Sequence, residues 1–199
     1  MRTYLLGAAV AAALAVGVPG SASAAPAPAP ASEAAAQHLH GFAQLALGSP
    51  ALSPDYQITL RMDANGHGGD AHGHATMQHV FYDHGAWIGT VRVEVSVDCL
   101  TETDAGAGTD AGATTVVTGT AARISYTTPP GVPPLQQPPR DWHPEAAFSF
   151  YRDGDGHLRV GWSGKPVSPT ASPVATRCQA PHTGPDLYLA QGGFQLTGA

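Results

Sequence analysis

The chain has 199 residues, with 9 Lys+Arg against 15 Asp+Glu and a formal net charge of −6 at pH 7. Nucleic-acid binding depends on lysine and arginine neutralising phosphates, and anionic membrane surfaces attract basic segments, so this balance argues against both as partners. The length suits one domain with a sizeable core.

Arg2 precedes an apolar run from Leu5 to Val18, followed by Pro19-Gly20 and Ala22-Ser23-Ala24, the small-x-small pattern at which signal peptidase cuts. Residues 1–24 are therefore read as a signal peptide, with the exported chain beginning at Ala25. The run is shorter than the roughly 18 to 20 residues that a membrane span needs, and no second apolar stretch follows. The expectation is a secreted, extracellular protein without membrane insertion. Residues 25–33 alternate alanine with proline before Ser32-Glu33, an extended polyproline spacer that buries no core and is expected to be disordered. A single β domain is expected over 34–199.

In that domain Leu39, Phe42, Leu45 and Ala46 fall at a weak helical spacing, which predicts a short helix within 34–47 before Ser49-Pro50. Strand signals start at Tyr56, where Tyr56, Ile58, Leu60 and Met62 alternate with polar residues. A Gly/His-rich loop at 65–70 leads to a strand over 74–82, and His84-Gly85 turns the chain into 87–100. There Val91, Val93, Val95 and Val97 alternate with Arg92, Glu94, Ser96 and Asp98, the clearest strand pattern in the sequence. Residues 104–113 are polar and Gly-rich, without an apolar anchor, and read as a mobile connection.

The β pattern resumes over 114–127, with Gly119 marking a bulge or sharp bend. Six prolines between Pro129 and Pro139 make a stiff crossover that no sheet can include. Strands at 146–151 and 157–163 flank Asp153-Gly154-Asp155-Gly156 as a hairpin. A last strand, 187–196, contains Gly192-Gly193. Seven strands at short spacings without crossover helices select an all-β fold, an antiparallel sandwich or small barrel of about seven to eight strands.

Cys99 and Cys178 are the two cysteines of the chain, and both follow the leader. An even count in an oxidising compartment reads as one disulfide. In the chain-entropy model, closing so long a loop stabilises the fold by about 4 kcal/mol. The alternative, a metal-binding or nucleophilic thiol pair, lacks a Cys-x-x-Cys spacing.

The segment Val95-Ser96-Val97-Asp98-Cys99-Leu100, then Val116-Val117-Thr118-Gly119, then Phe148 to Trp162 around Asp153-Gly154-Asp155-Gly156, resembles a family of secreted actinobacterial proteins that are labelled hypothetical or repetin-like. The family pattern is a valine-rich strand ending Asp-Cys-Leu, a Val-x-Gly strand, an Asp/Gly hairpin and a second Cys before the last strand. The resemblance covers about Tyr56 to Leu196 and implies a small all-β fold with a Cys99–Cys178 bridge. It implies no activity. The Ala/Gly/Pro-rich composition agrees with a GC-rich actinobacterial genome. The histidine-rich loop and the proline crossover depart from the family pattern.

Five of the ten histidines, His67, His72, His74, His79 and His84, lie close together in sequence. On a strand, His72 and His74 point to one face, and His67 or Asp70 from the loop would complete three ligands for Zn or Cu. The plainer reading is a solvated polar loop with no cofactor, because no recognised ligand spacing occurs. Asp153-Gly154-Asp155-Gly156-His157 has Leu158 and Gly164 where an EF-hand needs Gly and Glu, so it reads as a turn.

No residue is assigned a catalytic role. Gly-x-Ser-x-Gly is absent, Asp141-Trp142-His143 lacks a nucleophile, and Glu94, Asp98 and Asp155 form no assignable acid pair. Phe148, Phe150, Tyr151 and Trp162 read as hairpin core before a sugar-stacking face. The leading expectation is an extracellular or cell-wall domain with a binding or structural role toward an extracellular or cell-wall partner. An extracellular transition-metal-binding protein is the alternative, and a hydrolase comes third.

Overall fold

The computed structural model describes residues 35–103, 114–134, 137–163, 177–179 and 187–198. The expected leader and spacer and the 104–113 connection lie outside them. Glu33–Ala199 form one compact unit.

Eight strands follow one another: β1 (Gln37–Leu47), β2 (Tyr56–Gly66), β3 (His72–Asp83), β4 (Ala86–Thr103), β5 (Thr114–Thr127), β6 (Glu145–Arg152), β7 (Leu158–Ser163) and β8 (Leu187–Thr197). Each pairs antiparallel with its chain neighbour, and β8 returns to pair with β1, so the sheet is a closed barrel. Closure pairs most of the strand edges that a sandwich would expose. Of the two architectures open to the sequence, the barrel is the one formed. Among the described residues, no helix is long and apolar enough to cross a membrane.

The helix expected within 34–47 is instead β1. Leu39, Ala43 and Leu45 point into the barrel and are buried, whereas Phe42, which a helix would have placed on the apolar face, is 55% exposed. A segment this short makes a marginal helix in water. As a strand it satisfies both of its edges, against β2 and β8. That tertiary gain outweighs a weak local spacing.

The interior is filled by alternate residues of every strand, among them Leu60, Met62, Met77, Val93, Leu100, Val117, Phe148 and Val160, all 2% exposed or less. Burying such a side chain is worth about 1.5–3 kcal/mol. Of the register shifts that adjust this alternation, one positions a cysteine. Between Val97 and Cys99 the β4–β5 register slips by one residue, a bulge that turns Cys99 to the outer face while Leu100 returns to the core. Opposite the slip lies Gly119, where a Cβ would collide with the Ser96 carbonyl oxygen. The glycine is required by the close approach of β4.

Cys99 and Cys178 form a disulfide with Cα atoms 5.4 Å apart. On the outer face beneath it, the Cys178 N–H donates to Thr118 Oγ1 at 3.1 Å, and the Thr118 hydroxyl donates to Asp98 Oδ1 at 2.7 Å. Arg177 donates to the Asp98 and Gly69 carbonyls. The weakest seam of the barrel is β7–β8, where only Arg159 and Val160 find partners, Tyr188 and Leu187. Arg159 reinforces it by lying 3.6 Å over the Tyr188 ring.

Candidate functional site

Three places bring chemistry-bearing side chains together. The first is the outer face of β1–β3. Because β1 and β3 turn their even-numbered residues outward and β2 its odd-numbered ones, the register sets two rows side by side. His38 faces Asn65, which faces His72; His40 faces Asp63, which faces His74. His38 Nε2 lies 3.3 Å from Asp63 Oδ1, and its ring stacks on that of His40 with centroids 4.6 Å apart. His40 Nδ1 is buried without a hydrogen-bond partner.

His72 and His74 share one face, as their spacing predicts, and both are exposed. His67 does not join them: its Nδ1 lies 3.4 Å from Gln37 Oε1, and Gln37 donates to Glu102 at 2.9 Å. His67 therefore belongs to one end of the barrel. The groups that stand beside His72 and His74 are Asn65, Asp63, His38 and His40. The two β1 histidines were hidden in the sequence because the segment carrying them read as helix. Their signal was the His-x-His spacing at 38–40, which repeats that at 72–74.

His84 sits in the β3–β4 turn with its side chain 98% exposed. His79 instead points inward, stacked on Phe81 with ring centroids 3.9 Å apart and edge-on to Tyr56. Burial lowers its pKa, and its Nε2 has no hydrogen-bond partner among the described residues.

The second place is the β6–β7 hairpin. Asp153, Asp155 and His157 are the one group of three metal-type donors that converge within 4.8 Å among the described residues. Asp153 is already engaged, however. Its Oδ1 accepts from the backbone N–H groups of Asp155 and His157, and its Oδ2 accepts from Arg159. Partial burial works to raise its pKa, but these donors and the nearby His157 hold it below the ordinary carboxylate value. The motif is a hairpin lock, in keeping with the turn read from the sequence. Phe148 is in the core, stacked on Trp162, and Phe150 packs on Phe194.

The third place is a cleft of about 500 Å³ between β5 and the proline crossover, lined by Ile124, Ser125, Arg123, Arg140 and Trp142 among others. β6 pairs with β5 only up to Thr120, so the rest of that edge is met by the crossover. The Gln137 side chain imitates a strand there, donating to the Tyr126 carbonyl at 2.7 Å and accepting from its N–H at 3.1 Å. At the other end the Ala121 N–H donates to Pro144 O, and Ala121 O accepts from His143 Nδ1 at 2.9 Å. His143 is thus held on backbone, away from any role with Asp141. Between these two clamps the Ile124 edge has no β6 residue opposite. Neither Arg123 nor Arg140 pairs with a carboxylate among the described residues.

Compared with protein-family models, curated proteins and solved structures, the chain matches none of them.

Proposed function

We propose that the protein is an exported binding domain of the extracellular space or cell wall, of the secreted actinobacterial kind that its sequence resembles, and that it takes a carboxylate-bearing partner into the cleft under the proline crossover. The observation that carries this reading is the pair of guanidinium groups, Arg123 and Arg140, on one cleft with no carboxylate partner among the described residues. In a chain of net charge −6, two guanidinium groups on the same recess without a carboxylate partner among the described residues form a local exception. Guanidinium groups hold carboxylates through paired N–H donors. Trp142 and Ile124 supply apolar contact, and the strand edge between the Gln137 and His143 clamps offers backbone to an extended segment. The barrel interior is filled by its own side chains, which supports a reading in which a partner is taken on the outer surface.

Co-sedimentation of the untagged exported chain with isolated actinobacterial cell walls tests this. Retention is expected to weaken as salt rises, because the contacts are charged and exposed. It should fall at least tenfold in Arg123→Glu/Arg140→Glu. No retention, or equal retention of that variant in a folded state, contradicts the proposal.

A further inference from the structure

We propose that the outer face of β1–β3 is a divalent transition-metal site, with His40 and His74 on either side of Asp63 and His38 as the fourth donor, taking Zn²⁺ or Cu²⁺. The site is independent of the cleft and of the ligand proposed for it. Its basis is the register: His40 and His74 are the direct cross-strand neighbours of Asp63 on β1 and β3. Side chains paired across antiparallel strands on one face have Cβ atoms about 5 Å apart. A cation above Asp63 is therefore within reach of an imidazole from each side.

His38 is already at 3.3 Å from the same carboxylate. The buried Nδ1 of His40 is a donor atom with no hydrogen-bond partner among the described residues. Neither His40 nor His74 makes a side-chain hydrogen bond that would have to be broken among the described residues. In the side-chain positions of this structure the four donors do not converge, the β6–β7 hairpin triplet being the only one that does among the described residues. Binding therefore proceeds by turning surface imidazoles on a fixed sheet, with no backbone movement.

Three imidazoles and one carboxylate suit a tetrahedral Zn²⁺ or a Cu²⁺ centre. The charge is suitable as well. Asp63 supplies the one negative group among the donors, while Arg61, two residues along β2, lies outside the donor set and faces Thr76 and Phe42. Gln195 and Ser96 flank the row beyond His40 and His74 and leave it uncrowded by charge.

Isothermal titration of the untagged chain with ZnCl₂, and separately with CuCl₂, tests the site. One ion per chain is expected, with Kd below about 10 μM. His40→Ala, His74→Ala and Asp63→Asn should each weaken it at least tenfold. His67→Ala and His157→Ala should leave it unchanged. All these positions are at least partly exposed, and a thermal melt of each variant establishes that the barrel is intact. For the copper form, electron paramagnetic resonance should show nitrogen coupling that diminishes in His40→Ala. The proposal is overturned by an isotherm that does not saturate below 100 μM, by one indifferent to both His40→Ala and His74→Ala, or by one lost in His157→Ala.

Discussion

Two outer faces of the same barrel differ sharply. On β5 and β6 the outward residues Val116, Thr118, Ala147 and Ser149 are 4%, 3%, 0% and 0% exposed, and Cys178 is tethered over them by its bond to Cys99. On β1–β3 the outward residues include rings, amides and a carboxylate, of which His72 and His74 are exposed and His38, His40, Asp63 and Asn65 half-exposed. The first face behaves as a second, small core outside the barrel, and its residues are small enough to be covered. The second has nothing to hide and is furnished for contact. Burial on an outward parity thus marks structure, while polar rings on the same parity mark a candidate for function.

The comparison can be broken most strongly at the disulfide. Replacing Cys99 and Cys178 with Ala should destabilise the fold by about 4 kcal/mol, read as a fall in the denaturant midpoint at unchanged slope. An effect within about 0.5 kcal/mol would mean that the covered face holds without its staple. Next in size, Thr118→Val removes a hydroxyl that both donates to Asp98 and accepts from Cys178, leaving two half-buried groups unpaired at a cost of about 1 kcal/mol. On the bare face, Thr76→Lys should stay within about 0.5 kcal/mol. If the two substitutions cost the same by chemical denaturation, the faces are not distinct.

The smallest expected effect comes from inside. Burial lowers the pKa of His79, so the native state binds a proton less readily than the unfolded chain, whose imidazole titrates near 6.5. Above that pH both states are neutral and His79 contributes nothing to the pH dependence. As pH falls through about 6.5 the unfolded state gains a proton first, and stability declines toward the lower native value. His79→Leu should flatten the slope of melting temperature between pH 7 and 5. An unchanged slope would place the acid sensitivity elsewhere.

Much of this architecture is written in local pattern. The valines of β4 alternate cleanly, Asp153 to Gly156 announce their turn, and Gly119 stands opposite the register slip. What local pattern cannot carry is the pairing of distant strands. β1 reads weakly because Gly41 interrupts its inward positions, and a Cβ there would meet the backbone of Gly193 and Phe194 on β8. The residue that weakens the strand signal is the one that lets the barrel close.

The same holds for the histidines. The sequence shows that His72 and His74 share a face, but their neighbours come from register. The bulge at Asp98 decides that Cys99 faces outward, and a strict alternation in the sequence would have put it with the valines.

The central claim is that the barrel keeps its chemistry on its outer surface, in the cleft beside β5 and on the outer face of β1–β3, and not within. Histidine ring signals followed by NMR during a ZnCl₂ titration test it most directly. The rings of His38, His40 and His74 should shift together and saturate at one ion per chain, while the inward-facing His79 stays still. Movement of His79 with the three outer rings unmoved, or shifts confined to His157, would contradict the account.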